Sequence, residues 1–256
     1  MNGRLTRDLL HALVFLPHLA LSYRLLRYRR EVAKLSAVVP SSADGAGRLP
    51  RLSIIVPARN EERSLESAVD SLLRQDYPAL ELVLVDDRST DRTGQIIARL
   101  AAAHPDWIQA ITVDRLPPGW LGKNHALWLG ALRASGDWLL FADADIVFAP
   151  NCCRLALTYA AAAGIDHLTL FPRFTAPGYW LDAFVSFFVY TFVTYQRPYL
   201  VQDPRSGVGI GVGAFNLIRR AAYVTIGTHA AIALRPDDDT RLGRRVKLLG
   251  LRSHIL

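Results

Sequence analysis

Two carboxylates separated by one residue are the first candidates for chemistry in this chain. Asp143 and Asp145 follow the apolar run WLLF in the segment WLLFADADIVF. Mg²⁺ and Mn²⁺ bind through one or two such carboxylates and fill their other positions with water and substrate phosphates. The pair therefore predicts a metal-assisted diphosphate site, although an isolated Asp-x-Asp pair is also common on solvated surfaces.

A second group of acids strengthens the interpretation of the first. Asp86, Asp87 and Asp91 lie in VLVDDRSTD, again directly after a short apolar run. In open α/β sheets, ligands bind beyond the carboxyl ends of the strands. If both apolar runs are strands, the two groups of acids belong to one ligand-binding edge.

The elements that must position these acids alternate regularly between strands and helices. Apolar runs at 52–58, 81–87, 107–113 and 137–145 are typical of strands, and the segments at 61–75, 91–103 and 122–135 are typical of helices. We expect Asn60 to be the N-cap of the first of these helices. This alternation predicts an α/β fold with a mostly parallel sheet flanked by helices.

The composition limits the possible partners. The chain has 256 residues, 51% of them hydrophobic and 21% charged, which permits a large buried core and excludes general disorder. A formal charge of +7 favours phosphate-bearing partners. The sequence has no zinc-finger or aromatic RNA-binding signature, so nucleic acid is not expected as a partner.

An uncharged run near the N-terminus predicts contact with a membrane. Residues 9–23 carry no Asp, Glu, Lys or Arg, and a dense basic cluster follows at once. Because a spanning helix needs ~20 apolar residues, a signal-anchor or interfacial helix describes these 15 residues better. The basic flank would keep the following residues on the cytoplasmic side of the cell membrane. An amphipathic helix packed on the core is the alternative.

These features divide the chain into three parts. We expect a membrane-contacting helix at 1–40, a linker at 41–51 with the sequence SSADGAGRLPR, and one catalytic domain at 52–256. Inside that domain, residues 178–201 are aromatic and apolar with one internal acid, Asp182, before Arg197. They predict either a buried core helix or an interfacial helix at the mouth of an acceptor site, and the second is favoured.

Six segments in order resemble glycosyltransferase family 2, whose members are inverting enzymes with the GT-A fold. They are SIIVPARNEE, VDDRSTDRT, GWLGKNHAL, FADADIVF, GAFNLIRRAAYVTIGTHAAI and DDDTRLGRRVKLLGLR. The sequences of these segments are most similar to those of a membrane-associated branch that acts on carotenoid or hopanoid compounds. The resemblance implies transfer of a sugar from a nucleotide diphosphate sugar, a UDP-sugar favoured, to a hydroxyl or carboxyl group of a lipid-like acceptor.

The resemblance also assigns roles to individual residues. Those implied to contact the nucleotide sugar are Pro57, Ala58, Arg59, Asn60, Glu61, Asp86, Asp87, Lys123 and Asp143. Asp145, together with Asp143, would bind Mn²⁺ or Mg²⁺. Inverting transfer to a hydroxyl also needs a general base, which the resemblance places at Asp239 with Asp238 in support. The neighbouring Asp237 leaves that register uncertain by one residue, and acids also suit a helix N-terminus for capping reasons alone.

Three alternative functions are weighed against the glycosyltransferase that the resemblance implies. A non-catalytic membrane scaffold would keep the fold without the reaction. A processive polysaccharide synthase is disfavoured, since no Gln-x-x-Arg-Trp follows the predicted base helix. The segment GVGIGVGA formally matches a dinucleotide-binding GxGxxA, but it does not open the first βαβ unit.

The end of the chain carries one further expectation. Relatives of this branch continue beyond the position of Leu256, so we expect the C-terminal end to be truncated. The predicted base helix has an apolar stripe of Leu242, Val246 and Leu249 that something must cover. Relatives also often have two glycines where this chain has Gly227 and Thr228.

Overall fold

The computed structural model describes residues 3–32, 34–37, 50–175 and 178–256. The described residues form a seven-stranded sheet with the strand order β3-β2-β1-β4-β6-β5-β7. The strands are β1 Leu52–Ala58, β2 Leu80–Asp86, β3 Ile108–Thr112, β4 Trp138–Phe141, β5 His167–Thr169, β6 Asn216–Arg219 and β7 Ser253–Ile255. The α-helices are α1 Gly3–Glu31, α2 Leu65–Leu73, α3 Thr93–Ala103, α4 Gly122–Arg133, α5 Cys152–Ala163, α6 Tyr179–Gln196, α7 Arg220–Thr225 and α8 Asp238–Leu248.

The sheet is mostly parallel, as the sequence predicts. Strand β1 pairs in parallel with β2 and β4, and β2 pairs in parallel with β3. Only β6 runs against its neighbours β4 and β5. The carboxyl ends of β1, β2 and β4 therefore meet at one edge of the sheet, with the predicted acids just beyond them.

Alternate side chains of the central strands face two separate apolar layers. In β1, Ile54 and Val56 pack with α2, α3 and α5 on one face, whereas Ile55 packs with α4, α7 and α8 on the other. Both layers are dry, because these three side chains are fully buried. Burial on both faces explains why the central strands β1, β2 and β4 are mostly apolar.

The predicted N-cap at Asn60 is wrong, because α2 begins at Leu65. Asn60 adopts a left-handed conformation with φ 58°. The backbone N–H of Glu61 donates to Thr93 Oγ1 (2.8 Å), and that of Glu62 donates to Asp91 Oδ2 (3.1 Å). These bonds hold the segment after β1 against the loop that follows β2, so it does not join the helix.

Helix α8 is covered by the chain's own residues. Leu242 and Val246 are fully buried and pack in the same apolar layer as Ile226 and Ile232. Of the three residues of the predicted stripe, Leu249, just beyond the helix, is exposed. Earlier segments of the chain thus cover Leu242 and Val246 of the predicted stripe. Beyond α8, β7 joins the sheet in parallel with β5.

Helices α1 and α6 pack against each other and present apolar side chains outward. In α6 only Val193 is buried, so the interpretation of this segment as a core helix is wrong. The exposed large apolar residues of the pair are Leu13, Phe15, Leu16, Leu19, Tyr23, Leu26, Tyr179, Trp180, Leu181, Phe184, Phe187, Phe188 and Tyr195. Within the described ranges, no helix combines the length and apolarity needed to span a membrane.

The predicted linker at 41–51 lies outside the described residues except for Pro50 and Arg51. The backbone N–H of Arg51 donates to Asp137 (3.0 Å), and its guanidinium pairs with Glu81 (2.9 Å). These contacts fix the chain where it enters β1.

Candidate active site

A cleft of about 440 Å³ lies at the carboxyl edge of β1, β2 and β4. Its lining residues are Pro57, Ala58, Arg59, Glu61, Asp87, Gly122, Lys123, Asp143, Ala144 and Asp145. A loop after each of three strands and the first turn of α4 thus contribute to one cavity. Eight of the residues predicted to bind the nucleotide sugar or the metal lie together here.

Two of the predicted nucleotide contacts do not line this cleft. Asn60 uses its side-chain oxygen to accept a bond from the Thr90 N–H (2.8 Å). Asp86 is buried and accepts a bond from the Ser89 N–H (3.1 Å). Both side chains brace the loop after β2, and their predicted contact with the nucleotide stays a prediction.

Asp87 lies at the back of the cleft in a closely packed position. It is buried and pairs with the Arg88 guanidinium, with 2.8 Å between Arg88 Nε and Asp87 Oδ1. The hydrogen bond to Asp87 raises the pKa of Arg88. A Cβ at Gly122 would overlap the Asp87 carboxylate. Only glycine therefore allows α4 to begin so close to Asp87.

Sequence reasoning missed Arg88 and also His125, which lies one turn into α4. His125 is buried beside Trp120 and Trp128, with ring centroids 5.4 and 6.0 Å away. Its Nδ1 has no hydrogen-bond partner among the described residues. Burial lowers the pKa of His125, although the charge of Asp87 opposes this effect. The lowered pKa keeps the imidazole neutral.

Lys123 links the Asp-x-Asp pair to helix α8. Its amine lies 2.6 Å from Asp143 Oδ1 and 4.0 Å from Asp238 Oδ1. Burial lowers the pKa of Lys123, but the carboxylates of Asp238 and Asp143 outweigh burial and leave that pKa raised. The lysine therefore stays charged at neutral pH, between the two groups of acids.

The carboxylates present suit a metal that takes most of its ligands from substrate. Among the described residues, no group of three or more His, Cys, Asp or Glu side chains could hold an ion alone. Asp145 is exposed and Asp143 half-buried at the cleft. Two carboxylates facing open space match the way Mg²⁺ or Mn²⁺ is bound together with substrate phosphates.

The three acids at the start of α8 differ in their surroundings. Asp237 is occupied by an ion pair with Arg241 of the same helix (2.8 Å). Burial raises the pKa of Asp238 to about 6, against the opposing charge of Lys123. Asp239 is half-buried and accepts bonds from the N–H groups of Gly213 (2.8 Å) and Thr240 (2.6 Å).

The glycines of GVGIGVGA serve a close approach between a loop and a helix. A Cβ at Gly209 would overlap the backbone of Gly243, and one at Gly211 would overlap the backbone of Asp239. The loop thus lies directly on α8 before it enters β6. A dinucleotide-binding turn is therefore the wrong interpretation of this segment.

The loop before α8 contains a strained residue and a buried histidine. Thr228 takes a φ of 57° and a ψ of −170°, a region that strongly favours glycine. His229 Nδ1 lies 2.7 Å from the Tyr223 hydroxyl, and its ring packs edge-on against Phe141. Burial lowers the pKa of His229 to about 3, so it is neutral and structural.

Comparison with known proteins tests which family a cleft with these acids belongs to. The description "Glycosyl transferase family 2" matches residues 53–227. The chain belongs to glycosyl transferase family 2. Most of the strands and the whole cleft lie inside the matched region, and the family predicted from the six segments is confirmed.

Two similar curated relatives are named as 4,4'-diaponeurosporenoate glycosyltransferases. The 4,4'-diaponeurosporenoate glycosyltransferase of Staphylococcus haemolyticus is 38% identical over 95 residues, which are 37% of this chain and 24% of that protein. The Staphylococcus aureus (strain USA300) enzyme of the same name is 34% identical over 97 residues, 38% of this chain and 24% of that protein. The matched part is thus about a quarter of each relative's length.

Solved structures of transferases share the fold. The mannosyltransferase PcManGT from Pyrobaculum calidifontis, in complex with GDP-Man and Mn²⁺, has a TM-score of 0.70 at 23% identity, covering 97% of this chain and 65% of that one. Staphylococcus aureus TarS 1–349 in complex with UDP has a TM-score of 0.59 at 19% identity, covering 80% and 57%. The predicted GT-A fold of family 2 is confirmed.

Proposed function

We propose that this chain is an inverting glycosyltransferase that moves a sugar from a nucleotide diphosphate sugar to a hydroxyl or carboxyl group of a lipid-like acceptor. The observation that carries the proposal is the cleft at the carboxyl edge of β1, β2 and β4, where Asp87, Lys123, Asp143 and Asp145 meet. The family membership and the carotenoid-type names of its relatives support the same activity.

The donor would lie across this cleft, which we call the donor cleft, with its two ends held by different residues. Asp87, buried at the back, would accept a bond from the nucleotide base, with a UDP-sugar as the favoured donor. Arg59 and Lys123 supply positive charge for the diphosphate. Asp145 and Asp143 would hold Mn²⁺ or Mg²⁺, whose charge neutralises the departing diphosphate.

Transfer then requires an oxygen of the acceptor to attack the anomeric carbon as the bond to the diphosphate breaks. For a hydroxyl acceptor, we place the general base at Asp239, whose backbone partners Gly213 and Thr240 fix its carboxylate. Asp238 supports it from a buried position near Lys123. A carboxylate acceptor has no proton to lose and attacks directly.

A thermal-shift screen tests the donor assignment. UDP-, GDP- and TDP-sugars are compared with and without Mn²⁺, because a ligand at about 100 times its Kd stabilises the folded state by about 2.7 kcal/mol. We expect stabilisation by one nucleotide class, and only with the metal. A chain that none of the three stabilises under either condition would contradict a transferase and favour a scaffold.

We further propose that the α1/α6 surface, defined by the exposed apolar residues of these two helices, lies on the cell membrane. Trp180 and Phe184 are 84% and 66% exposed, an unusual cost for aromatic side chains in water. The basic cluster at the end of α1, including Arg29 and Arg30, suits anionic headgroups on the cytoplasmic side.

Binding to vesicles measures this membrane contact. Replacing Trp180 and Phe184 together by Asp should weaken binding to phosphatidylglycerol vesicles more than tenfold, since each buried aromatic contributes about 1.5–3 kcal/mol. The control is Leu132→Asp, on α4 and 61% exposed, which should bind as the unmodified chain does. Equal binding by the double variant and the control would contradict the assignment.

A further inference from the structure

Lys123 occupies one of the two carboxylates that the donor cleft offers to a metal ion. Its amine lies 2.6 Å from Asp143 Oδ1. The other oxygen of Asp143 packs against Gly213, where a Cβ would lie 2.6 Å from Oδ2. The oxygen that is not against Gly213 is therefore the one that holds the ammonium. An ion that uses Asp143 as a ligand competes with Lys123 for this oxygen.

The second proposed metal ligand has no such contact. Asp145 is exposed, and no side chain of the described residues pairs with it. Mg²⁺ and Mn²⁺ usually rely on one or two carboxylates together with substrate phosphates. While Lys123 holds Asp143 and no donor is bound, Asp145 is the one proposed ligand that remains free. One free carboxylate alone is a poor site for either ion.

Lys123 is also placed to balance the charge of the nearby acids when no donor is bound. Besides Asp143, its amine lies 4.0 Å from Asp238 Oδ1, and the charge of Asp239 also acts on it. The donor cleft is lined by one other cation, Arg59, which pairs with no carboxylate among the described residues. The ammonium of Lys123 therefore offsets the acids after β4 and at the start of α8, which would otherwise attract a divalent ion.

Stabilisation of the fold does not account for the pair of Lys123 and Asp143. Their side chains are 42% and 36% exposed, and ion pairs so open to water contribute only about 0–1 kcal/mol to folding. Such a pair is also easily exchanged, because water and salt compete with it. The contact joins a proposed metal ligand to a proposed contact of the diphosphate, so donor binding would change both of its partners.

We propose that Lys123 holds Asp143 while the donor cleft is empty and releases it when a nucleoside diphosphate takes the ammonium, so that Mn²⁺ or Mg²⁺ binds with the donor and not before it. The inference rests on the proposed function, because it takes Asp143 and Asp145 as the metal ligands. A diphosphate has the charge and the acceptor oxygens to draw the ammonium from a single carboxylate. When the nucleotide leaves after transfer, Lys123 returns to Asp143 and favours release of the ion.

Binding of Mn²⁺ to the full chain without nucleotide tests this competition. The EPR signal of the free ion disappears on binding, so a titration gives the affinity without any transfer reaction. Lys123→Met keeps the length of the side chain but removes its charge, and it should raise the affinity for Mn²⁺ about tenfold or more, equivalent to about 1.4 kcal/mol. Lys123→Arg places a cation beside Asp143 again and should return the affinity to that of the unmodified chain.

Two controls separate competition for Asp143 from a general effect of charge. Arg59→Met removes the other cation of the cleft lining, and it should change the affinity for Mn²⁺ less than about threefold, because water and salt screen an exposed charge. In an Asp143→Ala background, the carboxylate for which the lysine competes is gone. Lys123→Met should then change the affinity by no more than about twofold, as expected for residues that are no longer coupled.

The possible outcomes distinguish this inference from the proposed function. Equal Mn²⁺ affinity of the unmodified chain and Lys123→Met would overturn the inference, and so would equal gains in Lys123→Met and Arg59→Met. If Mn²⁺ binding in those cases still disappears in Asp145→Ala, the metal site stands. Absence of Mn²⁺ binding in every variant, also with UDP-, GDP- and TDP-sugars present, would refute the metal site and the inference together. The expected gain in Lys123→Met without sugar transfer by the unmodified chain to any acceptor would refute the proposed function alone.

Discussion

Asp145→Ala should remove the metal-dependent part of nucleotide-sugar binding almost completely. Asp145 is exposed at the mouth of the donor cleft and has the carboxylate that we assign as the main metal ligand. Loss of a residue that only orients a metal ligand lowers metal affinity 10- to 100-fold, so loss of the ligand itself should cost on the order of 100-fold or more. Calorimetric titration of the donor with and without Mn²⁺ measures the effect.

Two variants calibrate that result. Asp143→Ala should weaken donor binding less, because Asp143 shares its carboxylate with Lys123 at 2.6 Å. Asp106→Ala, at an exposed residue before β3, should change nothing. If Asp145→Ala and Asp106→Ala have the same donor affinity with Mn²⁺, Asp145 is not a metal ligand.

Asp239→Asn should retain donor binding and lose transfer to a hydroxyl acceptor by a factor on the order of 10² or more. The change keeps the size and the acceptor oxygen that contacts Gly213, but it removes the group that takes the proton. With an ionised acid as acceptor, the loss should stay below about tenfold, because no base is required. Initial rates with an alcohol and an acid of the same chain length give both values.

The neighbouring acid is the control for the register of the base. Asp238 is buried and lies 4.0 Å from the amine of Lys123, so Asp238→Asn should alter the surroundings of the lysine and lower transfer less than Asp239→Asn does. An inactive Asp238→Asn together with an active Asp239→Asn on the hydroxyl acceptor would move the base to Asp238.

The sequence predicted the central strands and the acids after them because burial on both faces leaves a clear mark. Apolar runs at 54–58, 82–85 and 138–142 make up most of β1, β2 and β4, and a polar residue follows each run. The position of Asp87, Asp143 and Asp145 follows from the parallel pairing of these strands. Apolar runs of four or five residues bounded by polar ones are typical of buried strands in an α/β chain.

What the sequence could not predict depends on contacts between distant segments. Asn60 is a residue type that commonly caps helices. However, the backbone N–H groups after it, which would have started the helix, donate instead to Thr93 and Asp91. From the sequence alone, Arg88 is indistinguishable from a solvated loop residue, because only the structure shows its pairing with Asp87. The glycines at 209 and 211 have no local signal for their partner, since that partner is the backbone of α8, about thirty residues later.

Gly213 joins the proposed metal ligand Asp143 to the proposed base Asp239 through its own peptide groups. Its carbonyl oxygen accepts a bond from the Asp143 N–H (3.1 Å), and its N–H donates to Asp239 (2.8 Å). A Cβ here would lie 2.6 Å from Asp143 Oδ2, so no larger residue fits without a shift. We therefore expect a shift of Asp143 on donor binding to reach Asp239 through this one residue. If it does, thermodynamic reciprocity requires the two substrates to alter each other's affinity equally, and initial-rate patterns should show synergy between donor and acceptor instead of independent binding.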